Sequence, residues 1–462
     1  MRTLSTAAKR SITTFSFFAA SIFAALSLAS WAIPVARAAA PAIDPAVLQP
    51  ASQVGVDAPE LARLGAAGVG YRVLELVHAQ QPDVLATDRT TGAVPLHDRP
   101  VTVDLWYPAN TTPTMPRGFY EGLLSSEPPL PRAAFRVPAL AVKDAVPALG
   151  AYPLVVVSHG FGNDTAAFSW LGENLASKGY VVAAIRHIDP DYSDRAQFAW
   201  VLLRRPLDTV FVARELQANL GKAGLVDPSR TALVGYSMGG YAVLTAGGAT
   251  LDPAGQIVAQ MPGQALTQYA RGGAQRDWLR APNLKAVVAL APAGGGAVPA
   301  WGNAGLADLT APLFLISGNQ DRTVNYETGA KTFFESAVNA PRFLLTYREG
   351  GHAIGMGPAA PPEMRSRLWD LDWFEDPVWR KDRILAINLH FITAFLDRYV
   401  KGDASRDAYL RGLAPESDAG RWPGKPAAPY DAPSPGGEGI SLWKGFQDRH
   451  AAGLQLEYRE AR

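Results

Sequence analysis

The chain has 462 residues, 48% of them apolar, with 43 Lys and Arg against 42 Asp and Glu, and no cysteine. That size supports a large buried core in one large domain or two to three smaller ones. A net charge of +1 leaves no basic footprint for nucleic acid, and the absence of cysteine excludes disulfides, a thiolate metal site and a cysteine nucleophile.

At the N-terminus, Arg2, Lys9 and Arg10 precede an apolar run over residues 15–33, and Ala36-Arg37-Ala38 fits the small-x-small cleavage rule. Residues 1–38 therefore read as a signal peptide cleaved near Ala38. A secreted or periplasmic protein follows, with no stable membrane span after cleavage. An uncleaved anchor is the alternative, because the run is nearly long enough to span. Residues 39–69, rich in Ala, Pro and Gly, read as a loosely ordered leader.

Residues 70–78 and 99–108 alternate in polarity and predict two antiparallel strands. The proline-studded connection that follows, residues 109–152, is too long for an ordinary loop and is expected to pack over the surface or wall a pocket. Six short β-rich apolar runs come next, at residues 154–158, 181–185, 231–235, 286–290, 313–317 and 342–347. Apolar on both faces, they belong to parallel strands, and residues 164–178, 207–220 and 325–337 carry helical spacing between them. The prediction is an α/β fold, a mostly parallel eight-stranded sheet with helices on both faces.

Two stretches break the rhythm. Residues 247–283 are Gly/Gln-rich and suit a small cap or excursion. Residues 358–379 gather Trp369, Trp373, Phe374 and Trp379, which either line an apolar acyl or aromatic site or cover the sheet edge. An amphipathic helix over 383–400 closes the catalytic domain, placed at residues 70–400. Residues 401–462 form a C-terminal extension whose last part, 440–462, adds a strand or helix.

The chemistry centres on Gly235-Tyr236-Ser237-Met238-Gly239, a G-x-S-x-G pattern between a strand and a helix-compatible segment. In so sharp a turn, side chains two residues either side of the serine would collide, and glycine avoids this. A serine hydroxyl needs a base, and the base needs a carboxylate to orient it. In this architecture the order is Ser, acid, His, on loops after later strands. Asp321 follows the strand at 313–317, whereas Asp308 precedes that strand and faces the wrong end of the sheet. His352, in E-G-G-H directly after the last parallel strand, is the base; His390 falls in mid-helix and His450 in the tail. The anion hole takes one backbone N–H from Met238 and one from Phe161 in the loop after residues 154–158. His159 is assigned to the hydrogen bonding of that loop.

Other patterns carry no site. Asp189, Asp191 and Asp194 lack the glycine and glutamate of a calcium loop, and Gly294-Gly295-Gly296 lacks the lysine of a phosphate cradle. No metal or cofactor is expected.

The segments S-H-G-F-G (158–162), L-A-S-K-G-Y-V-V-A-A-I-R-H (175–187), G-Y-S-M-G-G (235–240), G-N-Q-D (318–321) and G-G-H (350–352) resemble the α/β-hydrolase superfamily. Within it they look like secreted serine esterases related to platelet-activating-factor acetylhydrolases, predicted dienelactone hydrolases and cutinases, over roughly residues 70–400. The resemblance implies hydrolysis of a small-molecule, lipid or polymer ester, with Phe161 both donating its N–H and flanking the substrate, and Trp301 as a second flanking aromatic. Dienelactone hydrolase proper uses cysteine, and many cutinases carry disulfides; this chain has neither. A serine peptidase or amidase, or a catalytically silent binding protein, are the alternatives. The acyl chain, the alcohol and the oligomeric state are not legible.

Overall fold

The computed structural model describes residues 50–192, 194, 197–422 and 432–462, all within the compact unit Asp44–Arg462. The expected signal peptide, residues 1–38, lies outside the described residues.

Eight strands form where the hydrophobic pattern places them. β1 (Gly68–Pro82) pairs antiparallel with β2 (Leu96–Ala109). The connection after β2 holds a separate hairpin, β3 (Phe119–Leu124) and β4 (Ala133–Pro138), and the two-residue β5 (Val142–Lys143). Then come β6 (Tyr152–Ser158), β7 (Val181–Arg186), β8 (Val226–Tyr236), β9 (Leu284–Leu290), β10 (Leu313–Gly318) and β11 (Arg342–Tyr347). These six run parallel, and β2 pairs antiparallel with β7. Two edge strands raise the sheet to ten: β5, parallel to β1, and β12 (Leu454–Arg459), antiparallel to β11. The order is β12-β11-β10-β9-β8-β6-β7-β2-β1-β5. β5 is too short, and β12 too polar, to announce itself as a core strand.

Alternation within each strand divides the core into two layers. Val155 and Val157 of β6 join one, with α1 (Ser169–Ser177) and the long closing helix; Leu154 and Val156 join the other, with α2 (Phe198–Lys222) and α3 (Met238–Ala246). Three short helices follow, α4 (Gln256–Ala259), α5 (Gly302–Ala307) and α6 (Thr332–Ser336). The last two are α7 (Leu368–Phe374) and the closing helix α8 (Lys381–Tyr399). Among the described residues, no helix is long and apolar enough to cross a membrane.

Both ends of the described chain are bound to this core. Residues 50–67 are held rather than loose: Ser52 Oγ donates to Glu173 Oε2 (2.5 Å), the Leu61 amide to His390 Nδ1 (3.1 Å), and Lys178 Nζ to the Leu61 carbonyl (2.6 Å). Buried Ala58 and Ala62 explain why a segment without periodicity still docks. In the extension, Trp443 and Phe446 pack on Phe391 of α8, and β12 completes the sheet.

Candidate active site

β8 is buried from Thr231 to its last residue and passes into α3 through Ser237 alone, which sits at φ +54°, ψ −115°. A non-glycine residue there is strained and persists only when its surroundings hold it. They do: the Ser237 amide donates to the Leu290 carbonyl at the end of β9, and its carbonyl accepts from the Ala293 amide, both at 2.9 Å. A Cβ on Gly235 would strike the Gly239 carbonyl, and one on Gly239 would strike the Ser158 carbonyl. The two glycines thus let the elbow close and press it against the end of β6.

Asp321 and His352 leave the C-terminal ends of β10 and β11. His352 Nε2 lies 3.0 Å from Ser237 Oγ, and its Nδ1 lies 2.7 Å from Asp321 Oδ2. The other oxygen of Asp321, a buried residue, accepts the amides of Thr323 (2.9 Å) and Val324 (3.2 Å). Both carboxylate oxygens therefore have a hydrogen-bond partner. Asp308 instead takes the hydroxyl of Thr250 and pairs with Arg271. His390 is buried in α8, and burial pushes its imidazole down to about 3, so it stays neutral as the acceptor for Leu61.

His352 is gripped from behind by residues that sequence reasoning missed. Asp376 Oδ2 accepts the Gly351 amide (2.7 Å), while its Oδ1 caps the amides of Val378 and Trp379. Its signal was the Asp-Pro turn at 376–377. Tyr236, next to Ser237, donates its hydroxyl to the His352 carbonyl (3.1 Å). Lys381 is buried and donates to the carbonyls of Ala353 (2.7 Å) and Met356 (2.9 Å); burial pushes its ammonium down to about 8.

Met238 is the first residue of α3, where an amide has no partner within the helix. Phe161 lies in the turn after β6, and among the described residues no acceptor is bonded to its amide. The carbonyls of that turn are all occupied. Gly160 O accepts from His159 Nδ1 (2.7 Å) and Arg205 Nη2 (3.0 Å), Phe161 O from the Tyr192 hydroxyl (2.9 Å), and Gly162 O from the Ser125 amide (2.9 Å). His159 Nε2 accepts the His187 amide (3.1 Å), so its ring is spent inside the loop; burial holds it neutral, down at about 4.

A strained serine at the β8–α3 junction, an acid after β10 and a histidine after β11, all at the C-terminal edge of a mostly parallel sheet, decide the architecture. This chain is an α/β-hydrolase by fold. A family model described as PETase, PET hydrolase-like, matches residues 144–269. Cutinase 1 of Thermobifida cellulosilytica is 28% identical over 215 residues, 46% of this chain and 63% of that protein. The cutinase of Thermobifida fusca (strain YX) is 28% identical over the same length, 46% of this chain and 54% of that protein. The chain thus spans little more than half the length of these curated relatives. Among solved structures, a ferulic acid esterase from Streptomyces cinnamoneus aligns over 75% of this chain and 94% of its own, with a TM-score of 0.46 and 21% identity.

Within this fold, two cavities flank the elbow. One, of 750 Å³, is walled by Tyr192, Trp369 and Trp373 and reaches His352. The other, of 420 Å³, is lined by Phe198, Leu202, Met238, Tyr241, Ile257 and Met261, so the 247–283 excursion supplies one wall. The Phe161 ring stands between them, 5.1 Å from that of Tyr192 and 5.5 Å from that of Phe198. Trp301 does not flank the site as expected: it is 2% exposed, stacked on Tyr241 at 5.6 Å, with Nε1 donating to Thr245 Oγ1 (3.1 Å). The long glycine-rich loop lets the indole fall back beneath Gly294, where a Cβ would meet its ring. The tryptophan-rich stretch divides, since Trp369 and Trp373 wall the cavity while Phe374 and Trp379 are buried in the core. Among the described residues, no group of His, Asp and Glu is arranged to hold a metal ion; Asp189 pairs with Arg205 and Asp191 with Arg132.

Proposed function

We propose that this protein is a secreted serine hydrolase of carboxylic esters, acting through an acyl-enzyme. The observation that carries the reading is the unbroken relay from Ser237 Oγ through His352 to Asp321, at 3.0 and 2.7 Å. Similarity to cutinases and to a PET hydrolase-like family supports an ester as substrate.

Ser237 Oγ attacks the ester carbonyl as its proton passes to His352 Nε2. The carbonyl oxygen, now negative, accepts the amides of Phe161 and Met238. Asp321 orients the ring and stabilises the imidazolium. As the carbon–oxygen bond breaks, His352 returns the proton to the leaving alkoxide; a water molecule then repeats the sequence and frees the acid. Because the leaving oxygen takes its proton from His352, the alcohol occupies the aromatic-walled cavity, and the acyl group occupies the apolar cavity beside Met238. The basic start, apolar run and Ala-Arg-Ala site within residues 1–38 support export.

A fluorophosphonate probe tests the reading. It should label the wild-type protein covalently and leave Ser237→Ala untouched, and nitrophenyl esters should be hydrolysed faster than matching anilides. Equal labelling of both proteins, or cleavage of the anilides alone, would overturn it.

A further inference from the structure

Arg205 lies in the second turn of α2, with its side chain buried under the loop after β6 and 1% exposed. A buried guanidinium is costly unless its donors are satisfied. Here Nε and Nη2 donate to Asp189 (3.2 and 2.5 Å), Nη2 also donates to the Gly160 carbonyl (3.0 Å), and Nη1 reaches the His159 carbonyl and Ser158 Oγ (3.4 Å). Asp189 in turn accepts the Gly162 amide at 3.0 Å.

The consequence follows from peptide planarity. The Gly160 carbonyl and the Phe161 N–H belong to one peptide unit, which is trans, so they point in opposite directions. Pulling the Gly160 oxygen towards Arg205 aims the Phe161 N–H the other way, towards the elbow. The next peptide is fixed at both ends, its carbonyl by Tyr192 and its N–H by Asp189. A glycine-flanked turn would otherwise be free to flip these units.

We propose that Arg205, braced by Asp189, is the positioning residue that presents the Phe161 amide to the oxyanion. The inference rests on the serine-esterase reading above. Arg205 touches neither substrate nor nucleophile; it acts through the orientation of one peptide.

The test compares wild type with Arg205→Met and Arg205→Lys in the full chain. Three quantities are read: kcat and KM on a nitrophenyl ester, affinity for a trifluoromethyl ketone that forms an oxyanion adduct, and affinity for the product acid. Loss of one oxyanion donor costs about 100- to 1,000-fold in kcat. Arg205→Met should show a drop of that order with KM nearly unchanged, ketone affinity falling in step and acid affinity holding; Arg205→Lys should recover part of it. A folded Arg205→Met with kcat within about threefold of wild type, or equal losses of ketone and acid affinity, overturns the proposal. If Arg205→Met does not fold, Tyr192→Phe, which frees the Phe161 carbonyl, is judged by the same selective loss of ketone affinity. A wild-type protein inert to every ester and to fluorophosphonate would instead overturn the esterase reading itself.

Discussion

Gly318, the last residue of β10, lies flush against Gly350, so that a Cβ on the first would fall on the carbonyl oxygen of the second. Around this contact the turns that carry Asp321 and His352 are sewn together. The Asn319 amide donates to Tyr347 O (3.1 Å), the Gln320 amide to Gly350 O (2.9 Å), and the Glu349 amide to Asn319 Oδ1 (2.7 Å). Asp321 and His352 thus meet because their turns form one hydrogen-bonded unit.

Gly318→Ala forces that unit apart. Overpacking of this kind costs about 1–3 kcal/mol, and separation of Asp321 from His352 should lower kcat more than tenfold. Urea unfolding and steady-state kinetics on the same preparation check both effects. Unchanged kcat in the variant would mean that the contact does not set the relay.

Removing members of the relay should cost activity without costing the fold. Ser237→Ala and His352→Ala are each expected to lower kcat by about 10⁴ to 10⁶, and the double variant no further, because the residues act as a unit. Asp321→Asn keeps an acceptor for Thr323 and Val324 but favours the wrong imidazole tautomer, a loss of about 10⁴. Circular dichroism and melting temperature should stay near wild type for Ser237→Ala. Additive losses in the double variant would refute a shared mechanism.

The parallel strands, and the three side chains that the structure brings together at the elbow, were legible because each leaves a local mark. The parallel strands are continuous apolar runs, the elbow needs Gly235 and Gly239, and the acid and base directly follow strands. Asp376, Lys381 and Arg205 left none of comparable weight. A lysine or arginine reads as surface, and only the folded chain shows that Lys381 and Arg205 are buried against loop carbonyls. Trp301 misled for the opposite reason, since an aromatic after a strand in a resembling family need not point the same way when the loop between is longer. β12 was hard to read because beyond β11 it meets only the single bridge of Gln455 with Glu416, so its sequence can stay polar.

Buried His159 and His390, with the half-buried His187, weaken the fold in acid. Burial pushes His159 down to about 4 and His390 to about 3, and holds His187 well below its ordinary range. Below pH 6.5 the unfolded chain takes up protons that these sites refuse, so stability is full above that pH and lost as pH falls towards 4 and then 3. Each refused proton costs about 1.4 kcal/mol per pH unit in that window. Denaturant unfolding at intervals from pH 7 to 4 measures the slope. In His390→Gln, where the side chain can still accept from Leu61, the slope should shrink by about one proton; an unchanged slope would show that His390 does not contribute.

The two cavities make separable demands on the substrate. Trp373 stacks on Tyr192 at 5.7 Å, and its ring centre lies 6.1 Å from that of His352, so it borders the cavity proposed to take the alcohol. Ile257, on the excursion, borders the apolar lobe beside Met238. Trp373→Ala removes a wall from the alcohol side, and should raise KM for bulky alcohols about tenfold, the scale of a lost aromatic contact, while preference for acyl length stays as in wild type. Ile257→Trp fills the other lobe, and should move the optimum towards short acyl chains while alcohol preference stays put. A grid of esters varying acyl length against alcohol size measures both at once. Two variants that shifted the same preference would mean that acyl and alcohol halves share one cavity, and the assignment of sides by the proton from His352 would fall.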